Sequence, residues 1–143
     1  MMGGDHPFKF TCGHARWSIH SFMRDNALML RLQRGEPIVY MNDEDAKARG
    51  IEDHEVIEIF NDVGNFQVHV KTTPLMQHNQ LHSYHAWETF MFPDGHSHAS
   101  IMASQVKPLG MVGNYGHLKY SVGFYQPNNV DKGTTCDVRK VIS

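Results

Sequence analysis

Histidine is the residue type that points most directly to chemistry in this sequence. Eleven of the 143 residues are histidines, and some of them lie in short segments of aromatic and small residues. A neutral imidazole offers one hydrogen-bond donor and one acceptor, and protonation near physiological pH gives it a second donor. These features indicate recognition of a polar heterocycle or binding of a metal, and the residues alone leave both open. The candidates in such segments are His14, His20, His85, His98 and His117.

A metal site remains possible, but the residues give it only limited support. His96 and His98 would point to one side of a strand and could share a metal, but a metal site needs further ligands held by outer partners. The candidate carboxylates, Asp94 and Glu88, lie in a predicted loop. The sequence has no Cys-x-x-Cys pair and no His-Glu-x-x-His motif. We therefore assign no metal ligand and no catalytic residue. The other histidines are predicted to be surface residues: His6, His54, His69, His78 and His82.

Composition and charge narrow the class of protein. Hydrophobic residues make up 41% of the chain and charged residues 20%, with a net charge of −2, so a folded domain is expected. The chain lacks the basic stripe of a nucleic-acid-binding protein and any apolar segment long enough to enter a membrane. Two cysteines, Cys12 and Cys136, are too few for a disulfide framework and are predicted to be thiols.

Alternating apolar and polar residues predict the strands that would position the histidines. The predicted strands cover residues 17–21, 37–41, 56–60, 66–72, 81–87 and 135–142. Residues 1–10 are interpreted as a lead-in and residues 88–105 as a loop. The Gly-rich, aromatic stretch 111–125 indicates backbone that approaches another group closely. The pattern as a whole predicts one mainly β barrel domain over residues 1–143.

Two short helices are predicted between these strands. One lies within residues 24–34 and begins near Asp25 or Asn26. The other covers residues 44–49, with Asn42-Asp43 as its cap and Gly50 as its end.

Residues beside the histidines could complete a binding site. Trp17 and Trp87 lie two or three residues from a motif histidine, so they could orient an imidazole or simply pack in the core. Ser21, Asn26 and Asn114 offer hydroxyl and amide groups suited to the edge of a heterocycle, although turns and helix caps also favour these residue types.

Six motifs in order along the chain resemble a known family. They are His-Ala-Arg-Trp-Ser-Ile-His-Ser-x-x-x-Asp-Asn, Leu-x-Arg-Gly-Glu-Pro-x-Val, Asp-Ala-x-x-Arg-Gly-Ile-x-Asp, Phe-Asn-Asp-x-Gly, Tyr-His-Ala-Trp-Glu and Gly-x-Tyr-Gly-His-Leu. The match runs over residues 7–141 and resembles the C-terminal domain of molybdopterin oxidoreductases in the dimethyl sulfoxide reductase family. Within that family it is similar to the nitrate reductase branch, which includes dimethyl sulfide dehydrogenase, ethylbenzene dehydrogenase and the selenate, chlorate and perchlorate reductases.

The resemblance implies a double-psi β-barrel, the aspartate decarboxylase-like fold, that binds molybdenum bis(molybdopterin guanine dinucleotide). By similarity, His14 and His20 would face one pterin, while His85 and His98 would face the other. His96 is the alternative to His98. The same cleft would include further cofactor-binding residues, namely Trp17, Ser21, Asn114, Tyr115 and His117. Asn114 departs from the second glycine of a frequent Gly-Gly-Tyr-[Ala/Gly]-His pattern in the family.

The resemblance also implies a larger enzyme. The opening Met-Met-Gly-Gly-Asp-His-Pro indicates a C-terminal fragment of a catalytic subunit, whose missing N-terminal part would carry the ligands of an iron–sulfur cluster. Expected partners are the remaining domains of that subunit and an iron–sulfur electron-transfer subunit, and the chain alone is not expected to be active. Substrate and localisation stay open, with both the periplasmic side and the cytoplasm compatible. The alternative is a free-standing β-barrel binding module for a nucleotide or a metal.

Overall fold

Six β-strands close into a single barrel in the computed structural model, which describes residues 3–102 and 133–141. The strands are β1 (Phe8–Gly13), β2 (Ile38–Met41), β3 (Val56–Phe60), β4 (Asn65–Thr72), β5 (Gln80–Tyr84) and β6 (Thr134–Lys140). Around the barrel they follow the order β1, β5, β2, β4, β3, β6. The β1–β5 and β2–β4 pairs are parallel, and the remaining pairs are antiparallel. The predicted fold class, a mainly β double-psi barrel with short helices, is confirmed.

The helical elements are short and lie between the strands. They are α1 (Ala27–Leu32), α2 (Asp43–Ala48) and two 3-10 helices, Thr89–Met91 and His98–Ile101. Asn26 and Asn42 cap α1 and α2, because each side-chain oxygen accepts hydrogen bonds from two amides of the first turn. Both predicted helices are confirmed. Within residues 3–102 and 133–141, none of these helices has the length and apolar character needed to cross a membrane.

Alternating side chains of the strands fill the inside of the barrel. Phe10 and Phe66 are fully buried and meet edge to face, with ring centroids 5.9 Å apart. Burying one such side chain stabilises the fold by roughly 1.5–3 kcal/mol. Cys12 and Cys136 belong to the same core as buried thiols, as predicted.

Two of the predicted elements are wrong. Residues 8–13 form strand β1 instead of a lead-in, and the apolar residues Phe8, Phe10 and Cys12 alternate there with exposed Lys9 and half-buried Thr11. That period of two is typical of a half-buried strand. The neighbouring glycines and proline are uncommon in strands, so the sequence pattern indicated a lead-in instead.

Residues 17–21 form turns instead of a strand. His20 and Met23 adopt left-handed backbone, with φ of 52° and 65°, and an extended strand cannot contain such residues. The strand predicted over 81–87 ends at Tyr84. The loop predicted over 88–105 contains the two 3-10 helices in its described part. Residues 111–125 lie outside the described residues.

Candidate functional site

The pairing of β1 with β5 brings two of the predicted histidines together. The two strands run parallel, and Gly13 of β1 is in register with Tyr84 of β5. His14 and His85 are the next residues of each chain segment, so they leave the barrel side by side at the same edge. The His85 backbone N–H donates to the Gly13 carbonyl at 3.0 Å, which joins the two exits.

His20 completes a cluster of three imidazoles at this edge. Ring centroids are 4.3 Å apart for His14 and His85, 5.1 Å for His14 and His20, and 5.4 Å for His20 and His85. One ring nitrogen of each residue lies within 4.8 Å of the corresponding nitrogen of the other two. His14 and His20 are exposed and His85 is half-buried, so the polar edges of the three rings can meet a ligand from solvent. We call these residues the histidine cluster.

Arg24 ties the loop that carries His20 to the segment that carries His85. The guanidinium lies over the Trp87 ring, 3.6 Å from its centroid, and donates to the His85 carbonyl at 3.3 Å. It also donates to the side-chain oxygen of Gln33, just beyond α1. The residue is only 5% exposed, and this burial lowers the pKa of its guanidinium from the usual value.

The backbone around the cluster is held in an unfavourable conformation. Ala86 adopts left-handed backbone with φ 69°, like His20 and Met23 in the facing loop. For residues with a Cβ this conformation costs on the order of 1–3 kcal/mol, and it concentrates at functional sites. The packing around Arg24 and Trp87 compensates for that cost.

An aromatic cleft of about 250 Å³ lies beside the histidine cluster, since its walls include the neighbours of His14 and His85 in the chain. Four aromatic rings and two arginines line it: Trp17, Tyr40, Tyr84, Trp87, Arg16 and Arg34. Trp87 is buried at 7% exposure, whereas Trp17 is 42% exposed. The lining also includes one carboxylate, Glu36, so the flat rings and the excess of one positive charge suit a planar ligand with anionic groups.

Two buried polar atoms near the cluster have no hydrogen-bond partner among the described residues. They are the Ser18 hydroxyl oxygen and the Arg24 Nε. Both belong to the loop between His14 and Asn26. Leaving such a group unpaired costs about 1–3 kcal/mol, so each one is a position where a ligand group or another part of the protein is expected.

The other predicted site residues are placed as follows. Ser21 is exposed on the same loop as His20. His98 stands at the start of a 3-10 helix and stacks on Phe10 with centroids 6.2 Å apart, so it is not a member of the histidine cluster, and the exposed His96 is not one either. The structure groups His85 with His14 and His20, and the assignment of imidazoles to separate pterins stays a prediction. Asn114, Tyr115 and His117 lie outside the described residues.

The five histidines predicted to lie at the surface are exposed or half-buried. His54 and His78 are exposed, whereas His6, His69 and His82 are half-buried. Burial lowers the pKa of His82, and the hydrogen bond that the His78 ring donates to the Asp45 carboxylate raises the pKa of His78.

The sequence pattern does not predict a role in the site for Arg24, Ser18 or Gln33. The only signal for Arg24 was its place inside the motif that links His20 to Asn26. A charged residue in a loop is normally exposed, and its burial depends on Trp87, which is distant in the chain.

Comparison with known proteins connects this geometry to a family. The family model described as "Molydopterin dinucleotide binding domain" matches residues 8–118, a range that includes the whole histidine cluster. The chain belongs to the molybdopterin dinucleotide-binding domain family. The predicted family and cofactor class are therefore confirmed.

Relatives of this molybdopterin dinucleotide-binding domain are alpha subunits of two reductases and a dehydrogenase. The chain is 41% identical to the chlorate reductase subunit alpha of Ideonella dechloratans over 94% of its length, and 38% identical to the respiratory nitrate reductase subunit alpha of Haloferax mediterranei over 96%. It is 35% identical to the dimethylsulfide dehydrogenase subunit alpha of Rhodovulum sulfidophilum over 94%. The chain spans only 14–15% of the length of these curated relatives.

A solved structure agrees with the fold of the molybdopterin dinucleotide-binding domain. Acetylene hydratase from Pelobacter acetylenicus superposes with a TM-score of 0.68 over 95% of this chain and 18% of its own, at 13% sequence identity. Identity at that level supports the fold alone.

Proposed function

We propose that this chain is the cofactor-binding C-terminal domain of the catalytic subunit of a molybdenum oxidoreductase, and that it binds molybdenum bis(molybdopterin guanine dinucleotide). The observation that carries the proposal is the histidine cluster, in which His14, His20 and His85 converge at one open edge of the barrel. The cluster lies within the segment that matches the family.

The described residues fit a pterin ligand in their donor chemistry. A pterin presents hydrogen-bond donors and acceptors around a flat ring, and each one left unpaired on burial would cost about 1–3 kcal/mol. Imidazole nitrogens supply both kinds of group. The unpartnered Ser18 hydroxyl and Arg24 Nε are further polar atoms for which a ligand group is a suitable partner.

Each residue of the site has a distinct role in this proposal. His14, His20 and His85 bind polar edges of the pterins, and Trp17 flanks them in the aromatic cleft. Arg24 orients His85 through its carbonyl and adds a positive charge that favours an anionic cofactor. When bound, the molybdenum cofactor supplies the redox chemistry, and no residue of this chain is assigned a catalytic role.

For the whole enzyme we propose only the class of reaction. Relatives named chlorate reductase, nitrate reductase and dimethylsulfide dehydrogenase support an oxyanion reductase or a dehydrogenase of dimethyl sulfide or a hydrocarbon. The relatives are alpha subunits, so we propose the remaining domains of such a subunit and an iron–sulfur electron-transfer subunit as partners. His98, Ser21, Asn114, Tyr115 and His117 stay proposed cofactor-binding residues on family resemblance alone.

The proposal is tested by the cofactor content of the complete protein that carries this chain. We expect His85→Ala to lower molybdenum and releasable GMP per protein several-fold, or to shift the molybdenum reduction potential, because one donor to the pterin is lost. His85→Gln keeps an amide donor and should restore part of the effect. The matched control is His54→Ala, at an exposed histidine predicted to lie at the surface and outside the cluster. Full occupancy with an unchanged potential in His85→Ala would remove this residue from the site.

A further inference from the structure

The three imidazoles of the histidine cluster lie close enough together to bind one metal ion. Binding of a pterin would not require three ring nitrogens to be so close. Their nearest nitrogens lie within 4.8 Å of one another. Around a four-coordinate Zn²⁺ with bonds of about 2.0–2.1 Å, ligand nitrogens stand roughly 3.4 Å apart. A contraction of about 1.4 Å at most would therefore bring all three onto one ion. His14 and His20 are exposed, so rotation of their side chains can supply that movement.

The elements that carry the cluster are suited to holding an ion. His14 and His85 leave two paired strands that the Gly13–His85 backbone hydrogen bond joins, so their separation is set by the barrel. His20 comes from the loop and can close onto that pair. Three imidazoles are neutral nitrogen ligands, which suit Zn²⁺ and similar transition metals and disfavour Ca²⁺ and Mg²⁺.

Arg24 is a positively charged residue in direct contact with the histidine cluster, through the His85 carbonyl. Its guanidinium is engaged with the Trp87 ring and with the carbonyl of His85, not with an imidazole nitrogen. His14 and His20 are exposed, so an ion can reach their ring nitrogens from the solvent side.

We propose that the cofactor-free chain binds one divalent transition-metal ion through His14, His20 and His85, with a fourth position left for water. The ion fastens the loop that carries His20 to the ends of β1 and β5. It uses the same ring nitrogens that the proposed function assigns to the pterins, so ion and cofactor exclude each other. The metal site itself does not depend on the proposed function, and it can be tested without any cofactor.

The test uses the full 143-residue chain, freed of metal with a chelator and titrated with ZnCl₂ by calorimetry. We expect saturable binding of one Zn²⁺ per chain. His85→Ala and His14→Ala should each weaken binding by at least about tenfold. Co²⁺ in place of Zn²⁺ should give ligand-field bands typical of four-coordinate nitrogen ligation, and these bands should be lost in His85→Ala.

The matched control is His78→Ala, because His78 is an exposed histidine outside the cluster that lies beside two carboxylates, Asp45 at 2.8 Å and Glu44 at 3.7 Å. Zn²⁺ affinity should not change in this variant. Absence of saturable binding, affinity unchanged in His85→Ala with its far-UV spectrum intact, or loss of binding in His78→Ala would each overturn the metal site. None of these results would affect the cofactor content measured for the proposed function, so the two failures are distinguishable.

Discussion

Arg24 is the residue whose environment is most unusual for its type. A buried guanidinium normally pairs with a carboxylate, but no ion pair of Arg24 occurs among residues 3–102 and 133–141. It is held instead by the Trp87 ring, the Gln33 amide oxygen and the His85 carbonyl. Because none of these residues neutralises Arg24, its positive charge would favour the anionic dinucleotide of the proposed cofactor when that cofactor is bound.

Replacing Arg24 by Met should lower the free energy of unfolding by about 1–3 kcal/mol, because a desolvated cation–π contact and two hydrogen bonds are lost while the apolar volume is kept. Urea unfolding of the 143-residue chain measures this. The matched control is Arg16→Met, since Arg16 lies 4.9 Å over the more exposed Trp17 ring. We expect that variant to stay within about 0.5 kcal/mol of the wild type. Equal losses in the two variants would contradict a special role for Arg24.

At the residue scale, the sequence identified the three histidines as candidate binding residues, but neither their convergence nor the residues that support it. His14, His20 and His85 stand in recognisable motifs, so their types and order pointed to the site. Arg24 and Ser18 matter to the site because their polar atoms are buried. That burial depends on contacts with residues far along the chain. The local pattern could not predict that burial.

The elements predicted correctly are those with a strong local period or clear end signals. Strands β3 and β4 alternate cleanly around a turn at 61–64, and α2 begins at Asn42. The wrong prediction over 17–21 had the same period of two, but Ile19 is 74% exposed. Tertiary constraints at the site, not local periodicity, determine the backbone of that loop.

The two helix caps provide a prediction at the element scale. The Asn42 side chain is buried, accepts from the amides of Glu44 and Asp45, and also donates to the Met76 carbonyl at 2.8 Å. Asn42→Ala should therefore lower the free energy of unfolding by about 1–3 kcal/mol, because the helix loses its cap and the Met76 carbonyl loses its hydrogen-bond donor.

Asn26→Ala is the control for this prediction. Asn26 is exposed, and among the described residues its side chain accepts only the cap hydrogen bonds from the amides of Leu28 and Met29, so its loss should cost roughly 0.5–1 kcal/mol. Thermal or urea unfolding compares the two variants. A larger loss for Asn26→Ala than for Asn42→Ala would show that the Met76 contact contributes nothing.

Asp53 gives the contact between the segment before β3 and the end of β4 a dependence on pH. Its carboxylate accepts from the Lys71 ammonium and from the Thr72 amide at 2.8 Å, and these bonds lower the pKa of Asp53 to about 2. A folded-state pKa below the unfolded value of about 3.9 means that the carboxylate stabilises the fold above roughly pH 4. That stabilisation is lost as pH falls toward 2.

Asp53→Asn should therefore lower stability at pH 7 by up to about 1 kcal/mol, since the group is partly exposed. The difference from the wild type should shrink between pH 5 and about pH 3. Lys71→Met removes the partner and should reproduce most of the effect. A difference that stays constant down to pH 3, measured by urea unfolding, would contradict the lowered pKa of Asp53.

For the whole molecule, the distribution of apolar surface fits a domain within a larger protein. Of ten exposed large hydrophobic side chains in the described part, six lie between residues 17 and 32. Concentrated apolar exposure marks an interaction surface. Because this segment also carries His20 and Arg24, the proposed partner domains would cover the loop beside the cofactor.

The family could be predicted from the sequence because several specific motifs occur in the right order, and a closed barrel followed from that resemblance more than from the strand pattern. The convergence of His14, His20 and His85 on one point could not be predicted in this way. It results from the parallel register of β1 and β5, and β1 was not predicted at all.

The most direct measurement of the central claim is a crystal structure of the complete protein with its molybdenum cofactor bound. We predict that ring nitrogens of His14, His20 and His85 lie within hydrogen-bond distance, about 3 Å, of pterin nitrogen or oxygen atoms. Pterins bound away from the β1–β5 edge, with the three imidazoles contacting only protein groups, would contradict it.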